Sequence, residues 1–290
     1  MEDLDDYTKA CPTCDSKRYT IELRGERVGA RICGDCFDTC PACHGQEYTY
    51  DIDERGYEIA RRCPVCGALN RRIQAFNDAS LPRRHCDARL DNFQTHYEGS
   101  QRPLGNLHKV RFSLYNWVRG FTPGDRGFLL HGPVGTGKTH LLAGVIRRLT
   151  LEKGISAKFI EFTHLLSDIR RQFDRGKGET AILQPIINLP VLAIDELGKG
   201  RKTNWQLSII DEIISKRYNQ SLTTLFTTNY AMETNGELPS GDTSSGDFRR
   251  QMEAESLPDR VGQRVFSRLH DMADFIELKA PDYRRRSQRP

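Results

Sequence analysis

The chain has no apolar run long enough to cross a bilayer. Its longest runs, such as residues 190–194, fall far short of the roughly 20 residues a spanning helix needs. Its N-terminus is acidic and lacks an apolar core segment, so no signal peptide is expected. The cytoplasm is therefore the expected compartment. No charge sign dominates: the formal balance is +4 over 290 residues, too small to point to a partner. Nor is apolar content low enough for a wholly disordered chain, since 37% of residues are hydrophobic. At roughly 150 residues per domain, the length allows about two. Cysteine is nearly absent after residue 66, where Cys86 stands by itself and is expected to be a buried reduced thiol.

What is present is uneven. The other eight cysteines fall in four C-x2-C pairs: Cys11 and Cys14, Cys33 and Cys36, Cys40 and Cys43, Cys63 and Cys66. Matching cysteines recur 29 or 30 positions apart. Tyr19-Thr20 repeats as Tyr48-Thr49, and Ala30-Arg31 as Ala60-Arg61. Alternating stretches flank Gly25 and Gly56, so each unit reads as a β-hairpin between two knuckles. A chain without an export signal keeps its thiols reduced, which favours metal over disulfides. Two thiolates on one tight turn bind one ion, and four in tetrahedral array suit zinc. Two zinc ions are expected, paired sequentially, with an interleaved arrangement as the alternative. The glycine-rich repeats of DnaJ-type chaperones are absent. His44 is read as a bystander.

Charge follows the same division. Residues 1–70 hold 9 Lys and Arg against 14 Asp and Glu, a balance of −5. The remainder stands at +9. Eight thiolates and two zinc ions would add a further −4 to the first segment, a surface that phosphates repel. It reads as a protein-docking module rather than a DNA reader.

From about residue 106, apolar strands and helical patterns alternate. This predicts an α/β fold, a parallel sheet with helices on both faces, preceded by the small tandem zinc-ribbon β module. The expected divisions are residues 1–70, a connection over 71–105, an α/β domain over 106–281 and a basic tail over 282–290. Residues 233–258 read as a polar insertion. Residues 132–139, Gly-Pro-Val-Gly-Thr-Gly-Lys-Thr, match G-x4-G-K-[ST] between a strand and a helix. Gly132, Pro133, Val134, Gly135, Thr136, Gly137, Lys138, Thr139 and the next residue, His140, are the expected ATP-binding residues. The glycines let backbone N–H groups curl round phosphates, Lys138 would reach the β- and γ-phosphates, and Thr139 would hold Mg²⁺. A second apolar strand ends in Asp195-Glu196. Asp195 would hold Mg²⁺ through water, and Glu196 would polarise an attacking water.

The series continues with Thr-Thr-Asn229, then Gln263-Arg-Val-Phe-Ser-Arg268-Leu, then Asp282-Tyr-Arg284. Over about residues 80–286 it resembles the AAA+ ATPases of the DnaC/IstB type, which are bacterial and phage helicase loaders and transposition helper ATPases. The resemblance implies that Asn229 is sensor 1, that Arg268 is an arginine finger serving a neighbouring subunit, and that Arg284 falls on sensor 2. It also implies assembly into a ring or spiral around DNA. Arg170, Arg171, Arg175 and Lys177 are the candidate phosphate contacts, single-stranded DNA the expected ligand, and a replicative helicase the expected partner. The alternatives are a transposition helper that recruits a transposase, and a zinc-centred adaptor or chaperone with ATP as its switch.

Overall fold

The computed structural model describes residues 11–35, 40, 42–233 and 255–283. The chain forms two compact units, residues 1–87 with 147–156, and residues 88–146 with 157–290.

In the first unit, β1 (Tyr19–Arg24) pairs antiparallel with β2 (Arg27–Ile32), and β3 (Tyr48–Ile52) with β4 (Glu58–Arg62). Gly25 and Gly56 sit at the two turns with φ of 60° and 82°, a region open to glycine at no steric cost. Helix α1 (Gly67–Ala79) starts from the last knuckle and runs into the stretch 71–105 read as a connection. It buries Leu69, Ile73 and Phe76, a spacing that puts all three on one face. Its Asn77 closes on β2, accepting from the Ala30 N–H at 2.7 Å and donating to the Ala30 carbonyl at 3.1 Å.

The second unit follows the expected alternation. Its elements are α2 (Leu107–Gly120), β5 (Gly127–His131), α3 (Lys138–Leu151), β6 (Ala157–Glu161), α4 (Phe162–Asp174), α5 (Glu179–Ile187) and β7 (Val191–Asp195). They continue with α6 (Asn204–Asn219), β8 (Thr223–Thr228), α7 (Leu257–Val261), α8 (Gln263–Met272) and β9 (Ala273–Glu277). The five strands form a parallel sheet in the order β6-β7-β8-β5-β9. β5 thus lies between β8 and β9, with the turn that follows it at the carboxyl edge, where open α/β sheets bind ligands. β7 and β8 are buried throughout, as strands covered on both faces must be. Leu129, Ile194 and Phe226 carry the core across the sheet to Leu165, Ile213 and Leu269 on the helices.

Residues 257–261 and 263–272 form two separate helices. Gly262 divides them at φ 88°, and Ser256 caps the first by accepting from the Asp259 N–H. The buried Arg217 of α6 stitches this side together. It donates to the carbonyls of Ile187, Leu189 and Thr223 at 2.6–2.9 Å. With no carboxylate among these partners, burial lowers its guanidinium to about 10. Among the described residues no helix is long and apolar enough to cross a membrane.

Candidate functional site

Between β5 and α3, residues 132–137 form the glycine-rich turn. Two glycines are dictated by close approach. A Cβ on Gly135 (φ 80°) would lie 1.8 Å from Asp282 Oδ1, and one on Gly137 (φ 92°) would lie 2.5 Å from the Phe93 ring. Tyr283 N–H donates to the Gly135 carbonyl at 2.9 Å, so the chain after β9 lies on this turn. Lys138 is buried, and its ammonium donates to the carbonyls of Gly132 and Pro133, both at 2.7 Å. The charge is thus held inside the turn that would receive phosphates. Pro133 and Val134 are exposed, whereas Thr136 is buried and donates to the Pro133 carbonyl at 3.0 Å.

β7, separated from β5 by β8, brings the acids to the same edge of the sheet. Thr139 Oγ1 donates to Asp195 at 3.0 Å. Asp195 is fully buried at the end of β7, a position that costs heavily unless its oxygens are satisfied. Thr227 on β8 helps to satisfy them, donating to Asp195 Oδ1 at 2.5 Å. The same hydroxyl accepts from the Glu196 N–H at 2.9 Å. Glu196 has φ 55°, which bends the chain sharply where β7 ends. Lys199 pairs with the Glu196 carboxylate and, at 3.1 Å, with Glu161 at the end of β6. Burial opposes charge on Lys199, but the two carboxylates outweigh it and raise its value. Burial likewise raises Glu161, and the bonds from Lys199 and Thr163 reverse it to a net lowering.

His140 is half-buried beside Phe93, with Nε2 3.0 Å from the Arg89 carbonyl. Burial holds it below the ordinary histidine value. Asn229 follows β8 and is exposed. Arg268 lies on α8 and pairs with Asp211 of α6 at 3.0 Å. Arg284 falls outside the described residues, as does most of the expected insertion. Arg170, Arg171, Arg175 and Lys177 are exposed at the end of α4 and beyond, with Arg171 paired to Asp168. Phe93, Glu161 and Lys199 were not singled out from the sequence, and Thr227 and Asp282 stood there only as neighbours of Asn229 and Arg284. Thr227 stands within the Thr-Thr-Asn run that marks the site. The others touch it only because the chain returns to it.

The first unit holds two cysteine clusters. Cys40, Cys43, Cys63 and Cys66 are buried with all four sulfurs within 4.8 Å of one another, and Cys11, Cys14 and Cys33 form a second such group. Cys36 lies outside the described residues. The grouping is sequential. Sulfurs of Cys40 and Cys63 are 3.6 Å apart, Cys43 and Cys66 3.5 Å, and Cys11 and Cys33 3.9 Å. Tetrahedral zinc with bonds of about 2.3 Å sets its sulfurs about 3.8 Å apart. The clusters fit such an ion, and each could hold one. Burial together with the neighbouring thiols pushes Cys66 up. Burial also opposes ionisation of Cys63, yet its hydrogen bonds, the Cys66 and Val65 N–H groups foremost, bring it to about 7. His44 is exposed and absent from the clusters. Cys86 is half-buried, not buried as expected, with its thiol 3.5 Å from Asp87.

Comparison with known proteins gives one consistent picture. A family described as IstB-like ATP binding protein matches residues 70–244. The replicative helicase loader DnaC of Escherichia coli is 27% identical over 161 residues, which are 55% of this chain and 62% of that protein. The replicative helicase loader DnaI of Bacillus subtilis is 27% identical over 128 residues, 42% of this chain and 40% of that one. The chain thus spans less than two thirds of the curated relatives it matches. The crystal structure of the DnaC helicase loader aligns with a TM-score of 0.54 at 28% identity, covering 68% of this chain and 99% of that one.

Proposed function

Because the chain belongs to the family of IstB-like ATP binding proteins, we propose that it is an ATP-hydrolysing loader that places a replicative helicase on DNA. The observation that carries the ATPase half is the contact of Thr139 with the buried Asp195, beside an ammonium held inside a glycine turn. The loader half rests on the likeness to two proteins named replicative helicase loaders and on the acidic cysteine module.

In this reading the backbone N–H groups of residues 134–139 bind the phosphates, and Lys138 swings from its two carbonyls to neutralise the β- and γ-phosphates. Thr139 and Asp195 would hold Mg²⁺, which when bound neutralises charge on the phosphates. Glu196 accepts a proton from the attacking water. Asn229, exposed just beyond β8, is the sensor 1 residue that orients the water. Arg268 leaves Asp211 to reach the site of a neighbouring subunit in a ring or spiral, and Arg284 acts as sensor 2. The basic residues 170, 171, 175 and 177 contact phosphates of single-stranded DNA. Residues 1–70, with two zinc ions, dock the helicase.

The family match favours one further reading, a transposition helper that recruits a transposase through the same module. Pull-down of the full chain with purified replicative helicase, against the same experiment with transposase, separates the two. Capture of the transposase alone would overturn the loader.

A further inference from the structure

The two hairpins of the first unit are copies of one pattern, and they differ in what covers them. On β1, Tyr19, Ile21 and Leu23 lie opposite Ile32, Ala30 and Val28 of β2. On β3, Tyr48, Tyr50 and Ile52 lie opposite Arg62, Ala60 and Glu58 of β4. Alternate residues share a face, so each copy presents one largely apolar face at the same place. In the first copy α1 packs on β2, Val28 and Ala30 are buried, and Tyr19 and Ile21 are half-buried. In the second copy every residue of β4 is exposed. Tyr50 is 55% exposed, Ile52 77% and Tyr57, at the turn, 69%. Five of the eleven exposed large apolar side chains among the described residues fall between positions 48 and 59.

We propose that this uncovered face of the second hairpin, Tyr48, Tyr50 and Ile52, docks a partner protein whose apolar ridge is bordered by basic side chains. The inference rests on the docking role proposed above for the cysteine module and names its surface. Charge selects the partner. The two charged residues on this face, Glu58 and Arg62, cancel, and the negative charge comes from the module around it, −5 over residues 1–70. A four-thiolate zinc site adds another −2. Phosphate backbones and anionic lipid heads are repelled by such a surface, whereas lysines and arginines at an interface rim are drawn to it. Tyrosine also suits an interface centre, because it buries a large ring at the cost of few rotamers.

The test uses the full chain with ATP, titrated with the purified replicative helicase of the same organism. The paired change Tyr50→Ser with Ile52→Ser is compared with Ile52→Lys alone, and with Leu23→Ser at the matching place in the first hairpin. Metal content and ATP binding confirm that each variant is folded. The expected result is a loss of affinity of about thirtyfold or more for the paired change, a smaller loss for Ile52→Lys, and none for Leu23→Ser. Helicase binding that survives both changes in the second hairpin overturns the surface and leaves the loader reading in place. An unaltered chain that fails to bind helicase overturns both. Loss of single-stranded DNA binding with helicase affinity intact would make the tyrosines a stacking platform instead, and would overturn the inference.

Discussion

Lys199 holds two carboxylates at once, Glu161 from the end of β6 and Glu196 from the bend after β7. An ammonium paired with Glu196 restrains the position of its carboxylate. Replacing Lys199 with Met is expected to raise ATP turnover of the isolated chain several-fold. Unchanged turnover would show that the pair does not restrain Glu196. The same contacts lower Glu161. Their stabilising effect is therefore present above the unfolded carboxylate range and lost as pH falls through the lowered value.

Thr227 joins Asp195 to the Glu196 N–H. Thr227→Val keeps the shape and removes the hydroxyl, leaving a buried carboxylate oxygen short of a donor. A stability loss of about 1–3 kcal/mol is expected in denaturant titration. Turnover should fall about tenfold while ATP binding persists, because the residue positions both acids without reaching the phosphates.

Arg268 pairs with Asp211 of its own chain, so the finger role requires that pair to open. Arg268→Ala should lower turnover by about 10³-fold or more with ATP affinity retained. Mixing it with Glu196→Gln subunits should restore part of the activity, because each supplies what the other lacks. Turnover near that of the unaltered chain would remove the assignment.

Sequential metal sites predict a specific metal count. Cys11 and Cys40 belong to different clusters. The paired change Cys11→Ser with Cys40→Ser should therefore disturb both ions, measured as zinc per chain. In an interleaved arrangement both residues would serve one site, and one ion would remain.

The sequence revealed the two hairpins because cysteine spacing and alternation agreed. It revealed the sheet because apolar strands of four to six residues alternate with helical patterns. Helix α1 was hidden by polar residues 70–72, which dilute the stripe of Leu69, Ile73 and Phe76. Helix α5 was hidden because it is short and contains Pro185, ordinarily a helix breaker. At the nucleotide site the glycine turn, Thr139 and Asp195 were legible because the chemistry requires them within one local motif. The contacts of Phe93 and Asp282 were not, since these residues come to Gly137 and Gly135 from 44 residues before and 147 residues after. No local pattern encodes such a return. Lys199 was invisible for another reason: an i,i+3 pair with Glu196 is common on any polar stretch, and its link to Glu161 depends on the parallel register of β6 and β7.

In the proposed function, ATP at Lys138, Thr139 and Asp195 controls delivery of a helicase to DNA. It is tested most directly by unwinding of a forked DNA coated with single-strand-binding protein, using purified replicative helicase and ATP. The full chain should accelerate the onset of unwinding, and Lys138→Ala should abolish that acceleration while leaving the helicase itself unaffected. Equal onset with and without the chain, although it binds ATP, would contradict the account.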